Sequence, residues 1–392
     1  MCKPRVVFDL GGYGLGDDVI TGIGLRFAEF ALALSNACEV TVYGAQPPAW
    51  LADRVHHVDT ATQWAHVLKN TDVVLFTDDV DLDHFYTTLA TGCLIVSEIS
   101  PPLEHLDYPS LRRGAPGRAL RRSQMSFREQ ARFSDHIIVR SSVERTTMLG
   151  ALGALGVLKP TDLATSRLLA HRLTLVPIGF TGPVNAGATG VWTTAPRWDL
   201  VWSGGLWSFY DPFVLIEAIA LGRRHGLAPV TTAFLHASNH PDTAVTIAEL
   251  KARVDALGLG DAVAFVTEPM PQDLRDRVVT QARATVALGR PGIENETCVR
   301  LRVRDNRRFG IPLLVDGHGA TARELSADGL AVVADDLSPE GVLDAIEQVM
   351  ARPPASSQTL EQYDYQRTLA PFIEWIRRAV HDKQSSTEGE PL

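Results

Sequence analysis

The chain has 392 residues, of which 45% are hydrophobic and 21% are charged, and its net charge is −9. This length is about twice that of a typical domain, so we expect a globular protein of two domains. The negative charge argues against a general nucleic-acid-binding protein, which ordinarily carries a basic surplus. The four cysteines form no CxxC pair, which argues against a zinc site or a disulfide framework and favours reduced thiols; they are Cys2, Cys38, Cys93 and Cys298.

The N-terminal sequence MCKPRVVFDL runs directly into a strand pattern and has no long apolar run of the kind a secretion signal needs. Apolar stretches of about 18 residues, the length that spans a bilayer, do not occur in the sequence. We therefore expect a cytoplasmic protein without a membrane span, a prediction that still allows contact with a membrane surface.

Short β-branched runs alternate with helical patterns through the first half of the chain. Arg5–Asp9 is predicted as a buried strand, and the helix after it places Ile23, Phe27, Phe30 and Leu34 on one face. Further strands are predicted at 39–43, 73–76, 93–97, 136–140 and 173–180. Strands separated by helices imply βαβ units and a parallel sheet.

A second series of strands and helices follows a segment rich in Gly, Pro, Ala and Thr. Its strands are predicted at 199–205, 230–237, 262–266, 284–289, 312–316 and 331–335. The fold class is therefore α/β, with two Rossmann-like, doubly wound parallel-sheet domains that face each other across a cleft. The predicted order is an N-terminal domain (1–182), a linker (183–197), a C-terminal domain (198–362), a helix that packs back toward the N-terminal domain (363–381) and a disordered polar tail (382–392).

The loop after the first strand is rich in glycine and precedes a helix, where free backbone N–H groups attract phosphate. Its candidate ligand-binding positions are Gly12, Gly14 and Gly16. The dinucleotide fingerprint GxGxxG fails because Asp17 replaces the third glycine, which disfavours an NAD site. Contact with a phosphate, a sugar or an acceptor and a tight turn without a ligand both remain open.

The loop after the first strand of the second domain contains Gly204 and Gly205, which also permit close approach of a diphosphate. Asp211 is predicted to cap the next helix, with Pro212 in its first position. A capped helix start surrounded by packed aromatic side chains explains the same pattern without a ligand.

The richest segment, GRPGIENETCVRLRVRDNRRFGIPLLV, spans 289–315 and follows a predicted strand. Guanidinium groups pair with phosphate oxygens through charge-assisted bonds, and carboxylates accept hydrogen bonds from sugar hydroxyls. The alternative interpretation is a solvated helix with ordinary ion pairs. Its candidate side chains are Glu294, Glu296, Arg300, Arg302 and Asp305.

The segment WSGGLWSFYDPFVLIEAI, together with this second segment, resembles family 4 glycosyltransferases of the GT-B fold. The closest similarity is to the subgroup whose donor segment reads E-T-x-x-A-F-R-T-R-x-x-D-x-x-x-x-G-L-P. SDHIIVRSSVERTTMLGALG at 134–153 and LVPIGF at 175–180 also resemble that subgroup, so the similarity covers roughly residues 5 to 350. The matching positions are Glu294, Arg300, Arg302, Asp305, Gly310 and Pro312.

The resemblance implies a retaining transfer from a nucleoside-diphosphate sugar without a cofactor or an essential metal, with the donor on the second domain and the acceptor against the first. It makes Asp305 the ribose ligand. The first acid of the family pattern falls on Thr297 by strict spacing and on Glu294 by the subgroup pattern, with Glu296 nearby. The Arg/Lys pair that commonly neutralises the diphosphate is missing, so we expect Arg300 or Arg302 to supply that charge.

Three further acids are candidates on the same grounds. Glu98 and Glu104 follow a predicted strand of the first domain and are candidate acceptor contacts. Glu268 lies where the resemblance implies contact with the nucleotide base. The sequence Asp78–Asp81 is similar to a DxD metal motif, but aspartates before a helix often act as caps, and we expect no metal site.

The stretch Arg112–Arg122 carries five arginines. It is interpreted as a solvated loop, a loop that binds a phosphate-bearing donor or an anionic acceptor, or a peripheral membrane contact. Three other functions remain beside sugar transfer in natural-product or polysaccharide biosynthesis: a GT-B protein that uses a cyclitol donor, a binding or activating subunit without transfer activity, and an NAD-dependent oxidoreductase.

Overall fold

The computed structural model describes residues 3–15, 21–103, 106, 116–182, 197–235, 241–266, 268, 270–355 and 360–388. The chain forms two compact units. The first unit consists of Met1–Pro102, Ala119–Thr181 and Tyr363–Leu392, and the second of Leu103–Arg118 and Gly182–Gln362. Most of the predicted linker lies outside the described residues, and so does most of the stretch 103–118.

The first unit contains a parallel sheet with the order β3-β2-β1-β4-β5-β6-β7. All the strands predicted for this half are present, several of them shorter than predicted. The additional strand is β3, whose sequence His-His-Val carries no apolar run and whose position at the sheet edge needs none. The strands are β1 Arg5–Asp9, β2 Glu39–Tyr43, β3 His56–Val58, β4 Val73–Phe76, β5 Leu94–Glu98, β6 His136–Val139 and β7 Leu173–Leu175.

Helices connect these strands, as a parallel sheet requires. They are α1 Gly22–Leu34, α2 Ala49–Ala52, α3 Trp64–Leu68, α4 Leu82–Thr91, α5 Pro116–Phe133, α6 Ser142–Ala154 and α7 Pro160–Thr165. The C-terminal segment of the unit adds a 3₁₀ turn and two helices, α15 and α16. They are Glu361–Tyr363 (of which only Tyr363 belongs to this unit), α15 Tyr365–Thr368 and α16 Ala370–Glu388.

Helix α16 packs into the core of the first unit. Phe372 and Ile376 are fully buried in the same cluster as Phe8, Phe27 and Phe30. Burial of each such side chain contributes roughly 2 kcal/mol or more, so the helix is an integral part of the unit. The helix continues to residue 388, so the prediction of a disordered tail from 382 is wrong for residues 382–388. The polar residues of this segment are compatible with helical structure and extend the helix beyond its packed turns.

The second unit contains a parallel sheet with the order β10-β9-β8-β11-β12-β13, and again each predicted strand is present. The strands are β8 Trp198–Trp202, β9 Thr232–Leu235, β10 Val263–Val266, β11 Ala282–Ala287, β12 Leu313–Asp316 and β13 Ala331–Ala334. The helices are α8 Pro212–Arg224, α9 Pro241–Ala256, α10 Gln272–Thr280, α11 Ile293–Thr297, α12 Val303–Phe309, α13 Ala320–Ala327 and α14 Pro339–Met350.

Both sheets reverse strand order at one point, between β1 and β4 in the first unit and between β8 and β11 in the second. Phe8 pairs with Leu75 at the first reversal, and Leu200 pairs with Ala284 at the second. In open α/β sheets, ligands bind outside the carboxyl ends of the strands at such reversals. The loops after β1 and β8 are therefore the places to examine for a site.

Among the helices that the structure describes, none combines the length and the apolar character needed to cross a bilayer.

His136 is a buried titratable group whose protonation should govern the acid stability of the first unit. Its Nδ1 donates to the carbonyl oxygen of His171 at 3.2 Å, and its Nε2 accepts from the hydroxyl of Thr174 at 2.7 Å. The ring of Trp375 lies 4.3 Å away, and Arg172 is a neighbouring positive charge. Burial lowers the pKa of His136 from 6.5 to about 4.

Because the unfolded chain binds this proton at a higher pH than the folded chain does, stability should fall as the pH decreases from about 6.5 to about 4. The expected loss from this residue is roughly 3 kcal/mol. Urea unfolding at several pH values measures it, and His136→Gln, which cannot take up the proton, should show a smaller loss over the same interval. Equal losses in the two proteins would contradict the assignment.

Candidate functional site

The loop after β8 is held in place by the loop after β11. The backbone N–H of Asp211 donates to Leu288 at 2.9 Å, and that of Arg290 donates to Phe209 at 2.9 Å. Asp211 caps helix α8 through its side chain, and Pro212 occupies the first helical position, as the sequence predicts. These contacts fix the approach of Gly204 and Gly205 to the helix, and both glycines are partly exposed.

Arg302 lies directly beside this loop. A methyl group added to Gly204 would lie 4.0 Å from the Cγ atom of Arg302. Nη1 of Arg302 is buried, and no described residue accepts a hydrogen bond from it. Burial lowers the pKa of Arg302, against the opposing attraction of Asp305. The fold therefore holds a positive charge here that its own acids do not fully compensate.

Arg275, on helix α10, is a second cation at the same loop that sequence reasoning missed. Its Nη2 donates to the carbonyl oxygen of Ser203, the last residue before the two glycines. Burial and, to a smaller extent, the positive charge of Arg302 lower the pKa of Arg275 to about 9. The sequence QDLRDRVVT is that of an ordinary charged helix, so no spacing connects Arg275 to the glycine loop.

Asp305 lies at the centre of this basic cluster and is fully buried. Arg304 bonds both Asp305 and Asp276 at 3.0 Å, and Nη2 of Arg275 is 4.0 Å from Asp305. Burial alone would raise the pKa of Asp305, but the charges of Arg304, Arg302 and Arg275 outweigh burial and lower it. The closest polar partners of this predicted ribose ligand are therefore arginines.

Asp276 is a second acid of this cluster. Its carboxylate lies 3.0 Å from Arg304 and 3.4 Å from Arg308. Nη1 of Arg302 is the buried guanidinium nitrogen without a hydrogen-bond acceptor among the described residues. A cation of this kind beside a glycine-rich loop is suited to bind a phosphate-bearing anion.

Arg300, two residues before Arg302, belongs to a different arrangement. Its Nη2 donates to Asp316 at 2.8 Å and to Asn295 at 2.7 Å, and its Nη1 donates to the carbonyl oxygen of Ala287. Its guanidinium also lies 4.7 Å from the ring centre of Tyr210. The side chain thus joins the ends of β11 and β12, which is a bracing role.

Gly289 shows how tightly this brace is packed. Its N–H donates to Asp316 at 2.8 Å, and an added Cβ would collide with Arg300 and with the amide of Asn295. The residue at this position must therefore be glycine for Arg300 to reach the end of β12.

The other predicted donor residues occupy varied environments. Glu294 is buried at 5% exposure in the short helix α11. Glu296 is exposed and lies 3.6 Å from Arg323, and the hydroxyl of Thr297 donates to the carbonyl oxygen of Ile293 at 2.7 Å. Glu268 is exposed after strand β10.

In the first unit, the described part of the loop after β1 forms a tight turn. Gly11 has a φ of 58°, and a Cβ there would collide with the backbone of Asp79. Gly12 and Gly14 are exposed, whereas the predicted positions Gly16 and Glu104 lie outside the described residues.

Within the DxD-like sequence, Asp81 caps helix α4 by accepting from the backbone N–H of Asp83 at 2.8 Å and of His84 at 3.4 Å. Over the described part of the chain, no group of three or more His, Cys, Asp or Glu side chains is arranged to hold a metal ion.

Glu98, a predicted acceptor contact, forms a buried ion pair. Its Oε1 accepts from Arg26 of helix α1 at 2.8 Å, and both side chains are almost inaccessible. Arg26 also donates to the hydroxyl of Tyr365 and to the carbonyl oxygen of Val176, each at 2.8 Å. The pair therefore connects α1, β5 and the C-terminal segment inside the first unit.

Asp9 and His84 form a second arrangement that sequence reasoning missed. Nδ1 of His84 lies 2.8 Å from Oδ2 of Asp9, at the carboxyl end of β1. The imidazole stacks on Trp64 at 4.7 Å, and its side chain keeps 25% of its exposure. The contact requires that β1 and β4 be neighbours, which local spacing does not reveal.

The comparisons with known proteins identify the fold. No family model matches the chain, and no curated protein matches it in sequence. Similar solved structures include HepE from Anabaena in complex with UDP and glucose. The two chains are 14% identical, the match covers 98% of this chain and 100% of that chain, and the TM-score is 0.58. Trehalose 6-phosphate synthase from Burkholderia multivorans has 11% identity, 99% and 100% coverage and a TM-score of 0.58.

Sucrose-phosphate synthase from Thermosynechococcus elongatus gives 11% identity, 98% coverage of each chain and a TM-score of 0.54. The chain thus has the GT-B fold of these enzymes, with two Rossmann-like units whose sheets are parallel.

The contrast between Arg300 and Arg302 can be tested by stability. Arg300→Met leaves the buried carboxylate of Asp316 without its cation and should lower the free energy of unfolding by about 3–5 kcal/mol. Arg302→Met removes a half-buried charge whose Nη1 has no described hydrogen-bond acceptor, and should change it by less than about 1 kcal/mol. Urea unfolding of both variants measures these values, and equal losses would refute the division of roles.

The Asp9–His84 pair can be tested by titration. The hydrogen bond that His84 donates to the carboxylate of Asp9 is the main cause that raises the pKa of His84, with smaller contributions from the charges of Asp81 and Asp83. Asp9→Asn should therefore lower the pKa of His84, as measured by NMR of the imidazole protons. Asp83→Asn removes a charge but leaves the hydrogen bond intact, so it should have a smaller effect; a larger effect would argue against the pair.

Proposed function

We propose that the chain is a retaining glycosyltransferase that moves a sugar from a nucleoside-diphosphate sugar to a hydroxyl or amine acceptor. The observation that carries the proposal is the pair of arginines beside the loop Ser203–Gly205: Arg275 is buried and donates to Ser203, and Arg302 has a buried Nη1 without a described hydrogen-bond acceptor. The setting is natural-product or polysaccharide biosynthesis, and the reaction needs neither a cofactor nor a metal.

The chemistry requires stabilisation of the leaving nucleoside diphosphate, on which negative charge develops as the glycosidic bond breaks. Guanidinium groups can pair with phosphate oxygens bidentately and keep their charge at all relevant pH values. Because Nη1 of Arg302 is buried without a described hydrogen-bond acceptor, a phosphate would add an acceptor for this nitrogen without displacing another one. Glycines at 204 and 205 permit its close approach.

The remaining assignments follow the resemblance of segment 294–312. Asp305 or one of the acids Glu294 and Glu296 would contact the ribose or the transferred sugar, and the retained anomeric configuration follows from the same resemblance. The HepE structures with UDP-glucose and with UDP and glucose make a uridine nucleotide sugar the first donor to test.

We expect a donor screen by thermal shift to identify one nucleotide sugar among UDP-, GDP-, ADP- and dTDP-sugars. A ligand at a hundred times its Kd stabilises the folded protein by about 2.7 kcal/mol, which is readily measured. With that donor, Arg302→Ala should weaken binding by about tenfold or more, because a charge-assisted phosphate contact contributes at least that much. Arg302→Lys should restore part of the affinity.

The matched control is Arg224→Ala, which removes the same charge from an exposed position at the end of α8. Its donor affinity should equal that of the original protein. Unchanged affinity in Arg302→Ala, with the folded state intact, would remove the proposed role of the cluster. Once a donor and an acceptor are known, NMR of the anomeric centre in the product tests retention.

A further inference from the structure

Helix α5 presents an exposed basic stripe that the proposed function does not use. Arg121, Met125, Arg128 and Arg132 follow at intervals of four, three and four residues, which places them on one face of the helix. All four side chains are exposed, and so is the neighbouring Arg122. This part of the helix belongs to the first unit.

The opposite face of α5 explains why the stripe points outward. Ser126, Gln130 and Ala131 are buried. The hydroxyl of Ser126 donates to the carbonyl oxygen of Asp78 at 3.3 Å, and Gln130 donates to Ser126 at 3.3 Å. The orientation of the helix is therefore set by its polar buried face, and packing gives no reason for arginines on the other face.

The charge of this surface differs in sign from that of the whole chain. Arg121, Arg122, Arg128 and Arg132 are opposed on the helix by Glu129, which lies 3.2 Å from Arg128. Four positive charges minus one leave three, on a chain whose net charge is −9. A local surplus of this kind attracts a polyanionic surface.

Large apolar side chains accompany the arginines. Met125 is 42% exposed within the stripe, and Phe133 is 40% exposed at the end of the helix. Tyr86 of helix α4 bonds Glu129 and is 44% exposed, and Leu89, one turn further along α4, is 39% exposed. Arginines interspersed with aromatic and aliphatic side chains are typical of helices that lie in a membrane interface.

We infer that the stripe of α5 formed by Arg121, Met125, Arg128 and Arg132, together with Phe133 at the end of the helix, docks on an anionic lipid bilayer. The arginines pair with lipid phosphates, and Met125 and Phe133 enter the boundary between headgroups and acyl chains. The exposed apolar side chains favour a bilayer over a nucleic acid, which offers the arginines phosphates but gives Met125 no apolar environment. The inference is independent of sugar transfer. The docking face inferred here lies nearer the C-terminal end of the helix than the membrane contact predicted for Arg112–Arg122. Residues 112–115 of that stretch lie outside the described residues.

Cosedimentation with unilamellar vesicles tests this inference. The full chain should bind vesicles of phosphatidylglycerol and phosphatidylcholine, should bind pure phosphatidylcholine weakly, and should dissociate in high salt. The triple variant Arg121→Gln, Arg128→Gln, Arg132→Gln should partition at least about tenfold less, since each basic residue near an anionic surface contributes about fivefold. Glutamine keeps a high helix propensity, so the helix should be preserved.

The matched control carries Arg224→Gln, Arg377→Gln and Arg378→Gln, three exposed arginines elsewhere, and changes the net charge equally. It should bind vesicles as the original chain does. Met125→Ser should also weaken binding, because the apolar insertion is lost while the charge is kept. Equal binding by the two triple variants, absence of vesicle binding, or preference for duplex DNA over vesicles would overturn the inference.

The donor thermal shift should be the same in both triple variants and in the original chain. A failure of membrane binding would therefore leave the proposed sugar transfer untouched, and a failure of donor binding would leave the lipid result interpretable.

Discussion

The clustering of arginines around Asp305 is the constraint on which the second unit depends. Arg304 and Arg275 lie 3.0 and 4.0 Å from its carboxylate, and Asp276 is a second acid for Arg304. The charges of the arginines lower the pKa of Asp305, although burial alone would raise it. Arg302 is half-buried, and its Nη1 has no hydrogen-bond acceptor among the described residues. A phosphate would supply that acceptor, which is why the proposed donor site lies beside Gly204.

A binding loop after β8 must be held in a fixed position, and Arg300 helps to hold the neighbouring strand ends in place. Its bonds to Asp316 and Asn295 join two strand ends, and Gly289 leaves the space that those bonds need. Arg300 and Arg302 are thus chemically identical side chains with different consequences. One has its charge balanced by a buried carboxylate and stabilises the loop, and the other keeps an unsatisfied charge beside the loop.

The difference between these two arginines also shows how far sequence reasoning reaches. Apolar periodicity predicted the strands of both sheets, and Asp211 before Pro212 predicted the start of α8, because these signals are local. The role of Arg275 was not predictable, since it meets Ser203 only after β8 and α10 are brought together by the fold. For the same reason, the motif suggested Arg300 and Arg302 equally, and only Asp316 distinguishes them.

In the first unit, the partners of Glu98 and of His84 likewise distinguish a buried structural acid from a partly exposed titratable side chain. Glu98 lies at the end of β5, where a ligand-contacting residue could lie. Its carboxylate instead neutralises the buried Arg26, which also bonds Tyr365 of the C-terminal segment. At the neighbouring strand end, Asp9 holds one nitrogen of His84 while part of the ring stays exposed. With Nδ1 carrying the proton toward Asp9, neutral His84 presents Nε2 as a hydrogen-bond acceptor. The titratable group at this sheet edge is therefore the imidazole of His84, and Glu98 belongs to the interior of the unit.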